Sequence, residues 1–126
     1  VESLCAEVAG DDVLAPAAYN GLKNVVVSGA ASAVARAVEL AGERLAVTVP
    51  LPVSAPFHCA LMAPAATRLA VDLKAVTLHT PTRTVISTVD VGPLRTADEV
   101  RDRLVRQMTD RLEQFVRSHV SRRKSA

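Results

Sequence analysis

Aromatic side chains are nearly absent from this sequence. They make up 2% of its 126 residues, with no Trp, one Tyr and two Phe. The stacked platforms that hold single-stranded bases are therefore missing, and nucleic acid falls outside the expected partners. Cysteine is scarce as well. Cys5 and Cys59 stand far apart without a CxxC spacing or a second ligand cluster, so neither a disulfide scaffold nor a metal site is expected, and a reducing compartment is the default. No uninterrupted apolar run reaches the roughly 18 residues of a membrane span, and the start lacks a basic stretch followed by an apolar one. The chain is accordingly expected to be soluble, with no membrane partner. No Gly-x-Ser-x-Gly elbow, Gly-rich phosphate cradle or internal repeat is present. The first residue is Val1, not an initiator Met, which leads us to expect a piece of something longer.

The composition is that of a folding chain, with 49% apolar and 22% charged residues, and the length allows one hydrophobic core. A net charge of +2 conceals an asymmetry. Residues 1–94 hold six Lys/Arg against eight Asp/Glu, and residues 95–126 hold nine against five. The run Arg122-Arg123-Lys124 reads as a solvated basic tail over 122–126.

Apolar spacing predicts a short helix over 2–9, ended by Gly10. A strand over 13–19 containing Pro16 follows, then an Asn20-Gly21 turn and a strand from Asn24 to Ser28, together a hairpin. An Ala-rich helix over 31–43 with Val34, Val38 and Ala41 on its inner face leads to a strand at Leu45–Val49. Residues 50–58 contain three prolines, which excludes a helix or a central strand and predicts a shaped loop. Met62, Ala66, Leu69, Leu73 and Val76 predict a helix over 61–76, with Pro64 tolerated in its first turn. Thr84–Val89 is β-branched and reads as a buried strand. Thr96-Ala-Asp-Glu99 is a capping box that opens a last helix, carried by Val100, Leu104, Met108, Leu112, Phe115 and His119 to about residue 120.

Of the three histidines, His79 lies in a Thr-rich connector and His119 continues an apolar helix face, so both read as structural. His58 differs. It leaves a proline-stiffened loop immediately before a helix, which limits the orientations of its imidazole and suits a general base. A matching nucleophile is harder to find. Ser28-Gly29 lacks the preceding Gly of an elbow, and Cys59 neighbours His58 at a helix start, where adjacent side chains diverge.

Four segments in order, Leu14-Ala-Pro-Ala-Ala-Tyr-Asn20, Val25-Val-Val-Ser-Gly29, Leu51-Pro-Val-Ser-Ala-Pro-Phe-His-Cys-Ala-Leu-Met62 and Leu104-Val-Arg-Gln107, resemble successive motifs of malonyl-CoA:acyl carrier protein transacylases. The similarity runs from about residue 2 to residue 116. It implies an α+β chain, an incomplete ferredoxin-like subdomain over 1–52 followed by part of the larger α/β hydrolase-like subdomain over 53–121. It also implies ping-pong transfer of malonyl from coenzyme A to the phosphopantetheine thiol of acyl carrier protein through a malonyl-serine, without a cofactor of its own. His58 would be the general base, and Phe57 would line the acyl pocket and exclude bulkier units. Asn20 matches the second asparagine of the family's Asn-x-Asn segment near the substrate entrance, the first being replaced by Ala18. Asn24 stands where the family has Gln.

The departures carry expectations too. The family's serine elbow, its malonyl-binding arginine and its oxyanion glutamine lie upstream of anything in this sequence, and Thr88 stands where Asn is usual. The chain alone is expected to be inactive and to need an upstream half bearing the nucleophilic serine, partly because a βαββαβ sheet without its first strand exposes an edge. The family implies a cytoplasmic location, or a mitochondrial or plastid one. The competing reading is a non-catalytic α+β module that binds acyl carrier protein or another acidic partner through its basic C-terminal helix.

Overall fold

In a computed structural model that describes residues 1–21 and 23–113, the chain begins with α1, Glu2–Ala9, ended by Gly10 at φ 58°, a left-handed conformation that glycine adopts without a steric penalty. The hairpin follows as β1, Leu14–Gly21, and β2, Asn24–Gly29, in antiparallel register from Leu14 opposite Gly29 to Gly21 opposite Asn24. The turn thus sits after Gly21, not at Asn20-Gly21. Pro16 faces Val27 and Ala18 faces Val26, so the strand bulges at Ala17, where a missing ladder donor is tolerated. Gly29 has to be glycine because a Cβ there would lie 2.1 Å from the carbonyl oxygen of Val13.

Helix α2, Ala31–Glu43, packs with α1 over this hairpin. Its buried residues are Ala33, Ala37 and Ala41, while Val38 is exposed. The inner face is therefore rotated from the one expected, because three small side chains let the backbone approach α1 closely. Arg36 reaches across to the carbonyls of Val8 and Ala9 at the end of α1, at 2.7 and 2.8 Å, and to Asp12 at 3.0 Å. Arg44 pairs with Glu7 at 2.7 Å.

The strand expected at Leu45–Val49 does not form. Leu45, Val47, Val49, Leu51 and Val53 are all more than half exposed along an unpaired stretch. In a βαββαβ sheet the strand after the second helix is separated from the third strand by one intervening strand, and among the described residues none fills that place. What pairs instead is β5, Leu112–Glu113, which adds in parallel to the far edge of β1 and gives the order β2-β1-β5.

The second half opens with a single 3₁₀ turn at Ala60–Met62 that runs into α3, Ala63–Lys74, with Pro64 in the first turn. Helix α4, Ala97–Arg106, packs on α3. It starts at the expected capping box, with the Glu99 amide donating to Thr96 Oγ1 and the Thr96 amide to the Glu99 carboxylate, both at 3.1 Å. Backbone donors, the Arg95 amide foremost, hold the Glu99 carboxyl below its ordinary pKa. Arg101 caps the end of α3 through the carbonyl of Leu73, at 3.1 Å.

Two expectations fail in this half. Strand pairing at 84–89 is confined to β3, Val85–Ile86, against β4, Pro93–Leu94, and Val85 and Ile86 are exposed, since no further strand among the described residues covers them. The last helix ends at Arg106. Thr109 and Asp110 hydrogen-bond locally around the Arg106 turn, and Arg111 is drawn to Glu2, at 2.8 Å, and over the Tyr19 ring. Leu112 consequently lies in a strand. Phe115, His119 and the basic tail lie outside the described residues. Among the described residues no helix is long and apolar enough to cross a membrane.

Candidate functional site

The loop before α3 is folded by its own prolines and by short-range bonds. The Phe57 amide donates to the Ala55 carbonyl at 2.9 Å across Pro56, and the buried Cys59 thiol donates to the Pro56 carbonyl at 3.2 Å. Between them His58 takes φ 63°, a left-handed conformation rare outside glycine and asparagine. Strain of this kind persists only where surrounding contacts hold it, and here the backbone amide and one ring nitrogen of the residue are held. The His58 amide donates to the Met108 carbonyl at 3.1 Å, and His58 Nδ1 lies 2.6 Å from the Gln107 carbonyl oxygen.

Those two carbonyls stand at the C-terminal end of α4, where the last turn of any helix leaves oxygens without an internal partner and the peptide dipoles concentrate negative charge. A carbonyl can only accept, so the contact assigns the ring proton to Nδ1 and leaves the lone pair on Nε2. The half-buried imidazole is thus oriented by one nitrogen and presents the other as a base. In a serine–histidine pair the orienting acceptor is commonly a carboxylate. Here it is a main-chain oxygen 49 residues further along the chain.

The remaining expected site residues divide into two places. Phe57 is beside His58, ring centroids 6.4 Å apart and tilted by 48°, and the residue is 43% exposed and so available to line a neighbouring surface. Asn20 and Asn24 are exposed at the turn end of the β1–β2 hairpin, in the small sheet. The Cys59 thiol is turned toward Pro56 and does not meet the imidazole as a dyad would. Among the described residues no group of three or more His, Cys, Asp or Glu could hold a metal ion.

Sequence reasoning missed the carbonyls of Gln107 and Met108. The only available signal was the end of a helical pattern, since a main-chain oxygen leaves no mark on residue choice. Also unforeseen was the attachment of α4 to the β3–β4 turn. Arg103 binds Asp90 at 2.7 Å through two guanidinium nitrogens, and Gln107 Nε2 donates to Thr88 Oγ1 at 3.3 Å. A hydrogen bond from Ser87, then Arg103, holds the Asp90 carboxyl below its ordinary pKa, and Asp90 in turn raises that of Arg103.

No family model matches the chain. Among curated proteins it is similar to the malonyl CoA-acyl carrier protein transacylase of Escherichia coli K12, with 43% identity over 111 residues, 86% of this chain and 35% of that enzyme. The transacylase of Bacillus subtilis is 38% identical over 85 residues. The fold is similar to the acyl carrier protein S-malonyltransferase of Vibrio cholerae, with a TM-score of 0.82, 38% identity and coverage of 89% of this chain and 37% of that one. It is also similar to a malonyl-transacylase solved in complex with a type II polyketide synthase acyl carrier protein, with a TM-score of 0.87, 34% identity and coverage of 98% and 40%. The chain thus spans about a third of the length of the curated relatives it matches. Sequence and fold agree that the chain belongs to the malonyl CoA-acyl carrier protein transacylase family, over a C-terminal part of its members.

Proposed function

We propose that this chain supplies the general base of a malonyl transfer from coenzyme A to an acyl carrier protein, with His58 as that base. The observation that carries the reading is the contact of His58 Nδ1 with the Gln107 carbonyl, which leaves Nε2 as a proton acceptor on a loop whose backbone is fixed. In the first half-reaction Nε2 takes the proton of a serine hydroxyl while the serine oxygen attacks the malonyl thioester carbon. The tetrahedral intermediate expels the coenzyme A sulfur, which leaves with the proton from the imidazolium. The second half-reaction runs the same steps in reverse, with the phosphopantetheine thiol of the carrier protein as nucleophile and the serine as leaving group. No redox change occurs, and the reaction needs no cofactor beyond the group the carrier brings.

Phe57, beside the base, is assigned to the wall of the acyl pocket, where its ring disfavours a branched acyl unit. Asn20 and Asn24 are assigned to the substrate entrance of the small subdomain, residues 1–52, and the base to the larger one, residues 53–121. The serine comes from an upstream half. The edge of β2 that pairs with no strand among the described residues and the exposed alternating side chains Leu45, Val47, Val49, Leu51 and Val53 support a partner that adds a strand there. The site of action on this reading is the cytoplasm, or the mitochondrion or plastid of a eukaryote.

A malonyl-transfer assay tests the reading on the chain alone and mixed with an upstream piece bearing the serine elbow. Transfer only in the mixture, lost with His58→Ala, is the expected result. Transfer by the chain alone, or a mixture that is indifferent to His58→Ala, overturns it.

A further inference from the structure

We infer that Thr88 is a positioning residue for His58, acting through Gln107 as one point of a two-point clamp on the end of α4. The inference rests on His58 being the general base. Its geometric basis is independent of that role. Arg103 and Gln107 are four residues apart, hence on one side of α4, and their partners Asp90 and Thr88 are two residues apart in the turn between β3 and β4. One clamp point is an ion pair, Arg103 to Asp90 at 2.7 Å. The other is the bond from the Gln107 amide to the Thr88 hydroxyl at 3.3 Å.

The turn itself is well anchored. Ser87 is buried, its amide donates to the Gly92 carbonyl at 2.8 Å, and its hydroxyl accepts from the Val89 amide at 3.2 Å. Helix ends fray, and a frayed last turn swings its carbonyls away from their partners. The side chain of Gln107 is fixed to the turn while the main-chain oxygen of the same residue holds Nδ1 of His58. Thr88 therefore resists the motion that would withdraw the acceptor from the imidazole. Without that acceptor the Nδ1–H tautomer loses its advantage, and the proton is free to reside on Nε2, where it blocks the base.

The experiment is long-range proton–nitrogen correlation of the His58 ring in the full chain at a pH where the ring is neutral, read as the ratio of Nδ1–H to Nε2–H tautomer. Thr88→Val keeps the shape and removes the acceptor for Gln107, and the ratio is expected to fall about threefold to tenfold, the weight of one ordinary hydrogen bond. Thr88→Ser restores the hydroxyl and is expected to return the ratio to within about twofold of the wild type. Asp90→Asn weakens the other clamp point and is expected to lower the ratio in the same direction. An unchanged ratio in folded Thr88→Val overturns the inference. Should that variant lose its dispersed amide spectrum, an unchanged ratio in Asp90→Asn does so instead. The readout needs no substrate, so a transfer assay indifferent to His58→Ala would remove the catalytic reading and leave this result standing.

Discussion

Among the described residues, Arg101 closes the end of α3 as Arg36 closes that of α1, whereas the end of α4 is closed differently. At the end of α1 the carbonyls of Val8 and Ala9 are taken by Arg36, at 2.7 and 2.8 Å. At the end of α4 the carbonyls of Gln107 and Met108 are taken by His58, one through the ring and one through the backbone amide. Arginine has only donors and keeps its charge at any physiological pH, so once bound to carbonyls and to Asp12 it has nothing left to offer chemistry. Histidine spends one ring nitrogen on the cap and keeps a lone pair on the other. The same structural task, done by imidazole, leaves a base behind.

The largest effect expected from breaking this contrast is at His58. His58→Gln retains an N–H that can reach the α4 carbonyls but has no basic nitrogen, so transfer in the completed enzyme should fall by about 10²–10⁴-fold. Single-turnover transfer measures it, and a thermal melt should show a far smaller change. At the other helix end the balance should invert. Arg36→Met removes the cap of α1 and the pair to Asp12, and is expected to cost about 1 kcal/mol of stability, because the pair is largely exposed. Denaturant unfolding reads that cost, and transfer should be unaffected.

The smallest effect is on pH dependence, and it applies to both ends. The Asp12 carboxyl is held below its ordinary pKa by Ser32 and then Arg36, and the Asp90 carboxyl by Ser87 and then Arg103. A depressed folded pKa means stability that is fully present above the unfolded value, about 4 for aspartate, and lost as pH falls through the lower folded value. The melting temperature should therefore decline as pH drops below about 4. Asp12→Asn and Asp90→Asn should each make the decline shallower. A slope identical to wild type in either variant would remove that carboxylate from the account.

Much of the small sheet was legible in the sequence because its signals are local. Gly10 ends α1, the β-branched run at Val25–Val27 pairs back on β1, and Thr96 with Glu99 opens α4 as a capping box must. What failed was what depends on a neighbour. Leu45–Val49 has the residues of a strand and no strand beside it, Thr84–Val89 is mostly uncovered, and the α4 pattern through Met108 and Leu112 gives way to pairing with β1. The site divides the same way. The shaped loop that carries His58 and Phe57 was readable from its prolines. The acceptor that orients the imidazole was not, since it is a backbone oxygen delivered from 49 residues away by the end of a helix.

The end of α4 presents His58 with its proton on Nδ1 and its lone pair on Nε2. Ring nitrogen shifts of His58 in the wild-type chain, recorded where the imidazole is neutral, distinguish the two tautomers. A predominantly Nδ1–H ring, with Nε2 unprotonated, is the predicted result. A predominantly Nε2–H ring would contradict it, because the nitrogen assigned to take the serine proton would already carry one.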